Sequence, residues 1–221
     1  MIITAIERQK GSKHRVNIFI DGKFTLGIHE SVFSKFGLHK GDSIDRKMIR
    51  TIKFDEEINF AKEKALRLIS YRLRSEKELR ERLTNKDITP DIVDETIQNL
   101  RKSKLVDDKA FARAYVHDLL LKKAAGTILL RRELRKKGIA NDIIRETLDQ
   151  MIEPGTEQQH ASAAASALLK RYKTSRKSID NTKRQLRIKS FLLRRGYDFF
   201  IINKVMRELF SNQKIEETDE Q

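Results

Sequence analysis

The five histidines are the first residues to test for chemistry, and their spacing supplies none. His14, His29, His39, His117 and His160 are scattered, with no partner at metal-ligand spacing. His117 and Asp118 are sequence neighbours, so on a helix their side chains diverge. A metal-dependent nuclease needs several clustered carboxylates for Mg²⁺. Asp107-Asp108 is the best pair available, and it reads first as the start of a helix. The chain has no cysteine, which excludes disulfides, thiolate metal sites and cysteine nucleophiles together. No glycine-rich phosphate loop is present. The sequence therefore predicts no catalytic residue, no metal and no cofactor, and neither a nuclease nor an ATPase.

Cations are what the sequence does concentrate. The net charge is +15 with 36% charged residues, which points to an anionic partner and is silent on fold. In the stretch 129–137, Arg131 and Arg135 are spaced i, i+4, as are Arg132 and Lys136, and both rows avoid the face of Leu130 and Leu134. Lys183, Arg187 and Arg194 form a similar row, with Arg184, Lys189 and Arg195 beside it. From Lys170 to Arg195 there are eleven basic residues against one acid, Asp180. That density exceeds what solubility needs and suits phosphate contact with counterion release, or an acidic protein surface. Around residues 76–82 Glu alternates with Lys and Arg, the pattern of a solvated, ion-paired face. Tyr197, Phe199 and Phe200 adjoin the second basic helix and could stack on bases, but Phe199, Ile202, Met206 and Leu209 have core spacing, and packing is the preferred reading.

These rows sit on a repeated element. Residues 126–151 read as two short helices: Leu130 and Leu134 on the first, a turn at Gly138-Ile139, then Ile143, Ile144, Leu148 and Met151 on the second. A shift of 51 positions backwards, without a gap, lands on Leu79, Leu83, Ile88, Ile92, Val93, Ile97 and Leu100. A shift of 58 forwards lands on Ile188, Leu192, Tyr197, Ile201, Ile202, Met206 and Leu209. Gly138 becomes Gly196 and Asp87, all types that enter the left-handed conformation cheaply. Each copy is preceded by a further helix, so the pattern predicts three tandem three-helix modules. Phe60, Ala61, Ala65, Leu68 and Ile69 are the expected inward residues of the very first. Ser75-Glu-Lys-Glu78 is a capping box, and Thr89 and Asp198 are favoured caps where the middle copy has Ala140.

Residues 1–54 differ in texture. Val16, Ile18 and Ile20 alternate as in a strand, Asp21-Gly22 is a hairpin turn, and Phe24, Leu26 and Ile28 resume the alternation. Glu30 to Phe36 reads as a short helix closed by Gly37, and Asp55-Glu56-Glu57 as the start of the next. The fold expected is mainly α: a small β-rich N-terminal domain (1–54), then modules at 55–106, 107–153 and 154–211 in an elongated, curved array, and a disordered tail (212–221). A longer loop around Lys173 to Asn181 should absorb the seven extra residues of the third copy. With no signal-peptide pattern and no apolar run near the roughly 20 residues that span a bilayer, a cytoplasmic monomer is expected.

From Ala61 to Met151 the chain resembles the RecX proteins, bacterial regulators of the recombinase RecA. The resemblance rests on Ser70-Tyr-Arg-Leu-Arg-Ser-Glu-Lys-Glu-Leu79 with Leu83, on Leu105-Val-Asp-Asp108, Phe111-Ala112 and Tyr115-Val116, and on Gly126, Leu130, Glu133-Leu134 and Lys137-Gly-Ile139. Lys86-Asp87 departs from the usual Lys-Gly, and only Lys122 and Lys123 stand where relatives are often arginine-rich. The resemblance implies binding to RecA and the RecA–DNA filament, inhibition of recombinase, ATPase and coprotease activities, and some DNA binding. A helix-turn-helix DNA-binding protein acting without RecA is the competing reading; it requires a helix rich in exposed Arg, Asn and Gln, and the third helix of module one has Gln98 and Asn99 but is otherwise acidic.

Overall fold

The computed structural model describes residues 1–174 and 180–216. Among the described residues it holds three strands and ten helices in two compact units, Met1–Asp107 and Asp108–Gln221.

The first unit opens with an antiparallel meander of β1 (Ile3–Arg8), β2 (Arg15–Ile20) and β3 (Lys23–His29). Asp21 and Gly22 turn the second hairpin with φ of 49° and 78°, the two positive values that a two-residue primed turn demands. Val16, Ile18 and Ile20 are buried, as the alternation predicts. Phe24 breaks it. Ile18 faces Leu26 but Phe19 faces Phe24, so one extra residue is bulged into β3. Phe24 is thereby turned outward and packs edge-on against Phe19, with ring centroids 5.9 Å apart.

Helix α1 (Glu30–Phe36) ends at Gly37 as expected, but the next helix does not begin at Asp55. Helix α2 runs from Arg46 to Tyr71, a length of about 39 Å. Its cap is Asp45, whose Oδ1 accepts from Met48 N at 2.7 Å. The carboxylates at 55–56 instead tie the middle of α2 to the sheet. Glu56 accepts from His29 N at 2.7 Å and pairs with Arg15 at 2.8 Å, and Asp55 pairs with Lys35 of α1. One helix thus serves two cores: Ile52, with Met48 and Ile49, closes the sheet domain, while Ala65, with Leu68 and Ile69, packs on α3 (Glu76–Thr84) and α4 (Pro90–Lys102). Phe60, expected inward, is exposed beneath Lys64, whose Nζ lies 4.8 Å from its ring centroid.

The second unit contains α5 (Asp108–Lys123), α6 (Thr127–Lys136) and α7 (Asn141–Met151), then α8 (Thr156–Lys173), α9 (Asn181–Arg194) and α10 (Phe199–Glu216). Each three-helix group closes its own core, and the repeat positions coincide. Leu79, Leu130 and Ile188 are fully buried in their respective clusters, and so are Leu83, Leu134 and Leu192. Burying side chains of this size contributes about 1.5–3 kcal/mol each. Asp87, Gly138 and Gly196 all adopt the left-handed conformation, with φ of 61°, 80° and 79°.

A further set escaped the apolar pattern because two of its members are polar: Thr96, Thr147 and Val205 are equivalent by the same shifts, and all are buried. The caps are weaker than the sequence suggests. Thr89 makes no side-chain cap bond, and only Asp198 does, accepting from Phe200 N at 2.7 Å. Helix α10 continues to Glu216, past the expected end of the third module. Residues 175–179 of the expected long loop, and 217–221 of the expected tail, lie outside the described residues.

The two modules of this unit meet backbone to backbone. Gly126 N donates to Arg195 O at 2.8 Å and Ile128 N to Gly196 O at 3.1 Å. A Cβ on Gly126 would lie 2.4 Å from Gly196 O, so no other residue fits there without displacement. Tyr197 extends the contact, its hydroxyl donating to Ala124 O at 2.7 Å.

Two predictions follow from these cores. Thr96 Oγ1 is buried and unpartnered among the described residues, and Val already fills the equivalent place at 205. Thr96→Val should therefore raise the free energy of unfolding by about 1 kcal/mol, read from the denaturant midpoint. Burial, reinforced by the charge of Glu157, pushes the Tyr197 phenol up to about 12. The unfolded phenol ionises at about 10, so between these values the folded state holds more protons and stability falls as pH rises. Tyr197→Phe should cost about 1 kcal/mol below that window, through the lost hydrogen bond, and flatten the decline within it.

Candidate functional site

The predicted basic residues fall into three environments. On α6, Ile128, Arg131, Arg132, Arg135 and Lys136 line one shallow groove of about 490 Å³. All four cations are exposed, but their partners differ. Glu133 lies 3.0 Å from Lys136 and 3.5 Å from Arg132. The hydrogen bond from Lys136, then its charge and that of Arg132, outweigh partial burial and hold the Glu133 carboxyl below its ordinary range. Arg135 Nε donates to Asn141 Oδ1 at 3.1 Å, which fixes that guanidinium against α7. No carboxylate among the described residues pairs with Arg131. It stands between this groove and a second one of about 370 Å³, where Thr127, Glu157 and Ile201 also contribute.

On α9 the row Lys183, Arg187 and Arg194 is exposed, with Arg187 6.0 Å from the Tyr172 ring. Lys189 lies on another flank, its Nζ 5.9 Å from the centroid of Phe199. Arg184 and Arg195 point elsewhere. Arg184 is half-buried, with Nε removed from solvent. Arg195 donates to Lys123 O and lies 5.0 Å from the Phe191 ring, so it joins modules two and three. Ten candidates thus resolve into a groove on α6, an exposed row with a flanking lysine on α9, and two residues turned inward.

Glu157 completes the start of α6. Position 126 is the cap of α6, and glycine there has no side chain to offer. Glu157, from α8, accepts from Thr127 N at 2.8 Å and Thr127 Oγ1 at 3.1 Å, supplying the missing acceptor and a negative charge at the positive end of the helix. In module one the equivalent Ser75 caps its own helix, accepting from Glu78 N at 3.2 Å.

The sequence reading missed the apolar side chains that share these faces. Phe199 and Phe200 were expected to pack, yet both are exposed, as are Ile128, Leu186 and Leu193. A helical wheel places Ile128 off the Leu130–Leu134 face, and the shift of 58 carries it onto Leu186, so part of this signal was available. Among the described residues no group of three or more His, Asp or Glu is placed to hold a metal, and no helix is long and apolar enough to cross a membrane.

Family models match the chain in four consecutive blocks: the regulatory protein RecX N-terminal domain over residues 1–45, and the first, second and third RecX three-helix domains over 61–100, 107–148 and 157–206. The chain belongs to the RecX family of regulatory proteins. It is 33% identical over 218 residues to regulatory protein RecX of Bacillus pumilus, covering 99% of this chain and 81% of that one. The corresponding protein of Bacillus velezensis is 35% identical over 207 residues, covering 93% and 76%. A crystal structure of regulatory protein RecX aligns over 92% of this chain and 98% of its own, with a TM-score of 0.77 and 29% identity.

The residues that carried the resemblance are largely architectural here. Arg72 grips Glu78 through two bonds of 3.0 and 3.1 Å, Arg74 Nε donates to Leu68 O at 3.1 Å, and Ser75 caps α3. These contacts build the turn between α2 and α3. Arg195 acts in the same spirit. Arg195→Ala should lower the thermal midpoint of the folded chain, by an amount matching about 1–2 kcal/mol for a lost charged hydrogen bond. Its affinity for a single-stranded oligonucleotide should stay at the parent's level.

Proposed function

We propose that this chain is a non-enzymatic, monomeric regulator in the cytoplasm that binds RecA and the RecA–DNA filament and inhibits the recombinase. The observation that carries the reading is the groove of four exposed cations on α6 in a member of the RecX family. A recombinase filament offers acidic protein surface and phosphate together, and exposed cations serve both. The exposed row on α9 takes the auxiliary part, contact with DNA itself. Contacts made module by module along a helical polymer add through effective concentration, so each can be weak.

The helix-turn-helix alternative gains no support. Helix α4 carries Asp91, Asp94 and Glu95, and Asp94 is paired with Arg80.

The test adds purified protein to preformed RecA–single-strand filaments and follows ATP hydrolysis. Arg132→Glu with Lys136→Glu should leave the fold intact, since both side chains are exposed, and weaken inhibition. That loss should depend on salt, because exposed charge contacts are screened over about 8–10 Å. Lys183→Glu with Arg187→Glu should chiefly weaken binding to naked DNA and flatten its salt slope by about one to two. Parent-like inhibition by both double variants at roughly 0.15 M salt would show the basic faces to be merely solvated.

A further inference from the structure

We propose that the junction of modules two and three is an apolar-centred docking surface for an acidic protein. Ile128, Leu193, Phe199 and Phe200 are 52, 39, 59 and 73% exposed. They gather around a single turn. Ile128 N donates to Gly196 O at 3.1 Å, Gly196 N donates to Leu193 O at 2.9 Å, and the two phenylalanines open the helix that follows. Isolated surface apolar residues need no explanation, but four around one turn, two of them aromatic, mark an interaction surface.

Cations flank this centre. Lys189 approaches Phe199, Arg194 follows Leu193, and Arg131 stands one turn along α6 from Ile128. An apolar middle with a charged rim, rich in Phe and Arg, is the anatomy of a protein–protein contact. The rim's sign selects the partner. A second copy of a chain with net charge +15 would bring like charges together, which is costly. Nucleic acid satisfies the cations, and its bases can stack on phenylalanine, but Ile128 and Leu193 present no ring to stack and would stay wet beside a phosphate backbone. A protein surface with an apolar recess fringed by carboxylates covers both parts. On the function proposed above, that surface belongs to the RecA polymer, and the inference rests on that reading.

The Gly126–Gly196 approach makes the surface possible. With no Cβ on either glycine the backbones close, so Ile128 N reaches Gly196 O at the end of α9 while the Ile128 side chain stays exposed. Leu186, equivalent to Ile128 in the third module and 60% exposed, extends the row of Leu193 by two turns of α9.

The experiment uses the full chain with Ile128→Ser and Phe200→Ser combined, and Phe200→Ser alone as a second, milder variant. Both side chains are exposed, so thermal midpoints should match the parent's. Two readouts are taken: the concentration that half-inhibits ATP hydrolysis by preformed RecA–single-strand filaments, and the affinity for a free single-stranded oligonucleotide. The double variant should need about tenfold more protein to inhibit, with a smaller rise for Phe200→Ser. The loss should persist at raised salt, and oligonucleotide affinity should be unchanged. Parent-like inhibition by the double variant overturns the docking surface. Equal losses in both readouts overturn it too, and assign the patch to nucleic acid. A parent that leaves filament ATPase untouched overturns the function proposed above, and this surface with it.

Discussion

The second unit depends on two glycines that leave no room for a Cβ. Gly126 and Gly196 bring the backbones of adjacent modules within hydrogen-bonding distance, and four consequences follow. With no side chain at 126, the cap of α6 must come from outside, and Glu157 of α8 supplies it. Gly196 ends α9 in the left-handed conformation, which turns Tyr197 inward to reach Ala124. Arg195 is drawn across the junction to a carbonyl, away from the basic row that its spacing suggested. Finally Ile128, Leu193 and the start of α10 are left at the rim of the contact, outside it. A serine at 126, as at the equivalent position 75, would cap α6 locally and force the modules apart.

The first unit solves its joining problem by other means. There the sheet domain and the first three-helix module share α2, which presents Ile52 to one core and Ala65 to the other. A continuous helix transmits orientation without any close backbone approach. It needs only that its apolar residues change face partway along, and the ion pairs of Asp55 and Glu56 sit at that change. The same three-helix scaffold is therefore linked once by a shared helix and once by a glycine contact.

What the sequence made legible was periodic or conformational. The Leu79, Leu130 and Ile188 set, its partners one turn on, and the left-handed trio of Asp87, Gly138 and Gly196 could be read because burial and positive φ each restrict residue type sharply. What it hid depended on neighbours distant in sequence. Asp55-Glu56-Glu57 looks like a helix start because carboxylates favour that end, and only the sheet's Arg15 and His29 reveal another task. Phe24 follows its strand's alternation until a bulge reverses it. Thr96 and Thr147 read as polar, though Val205 shows that the position asks for volume. Among the candidate cations, spacing gave the shared groove on α6 but could not tell exposed Arg194 from Arg195, whose direction is set by a carbonyl 72 residues away.

The three modules share a core pattern and diverge on their surfaces, and the divergence follows charge. In module one several cations are matched locally. Arg80 is held by Glu76 at 3.0 Å and by Asp94, and hydrogen bonds to those carboxylates keep its guanidinium pKa raised although burial opposes them. Arg101 also reaches Glu76, at 3.7 Å, and Lys77 pairs with Glu81. Pairs of this kind contribute little to stability when exposed, typically below about 1 kcal/mol, but they cancel the module's field. In module two Lys109 pairs with Glu146 and Lys122 with Asp118, and Glu133 lies against both Arg132 and Lys136, but Arg131 pairs with no carboxylate among the described residues. In module three the acids thin out further, and Asp180, Asp198 and Glu157 are spent at the starts of helices. Because the repeat fixes the buried positions and leaves the outward ones free, one scaffold can carry a neutral surface in one copy and an electropositive one in the next. The same freedom puts lysine at position 77 where the later modules place Ile128 and Leu186.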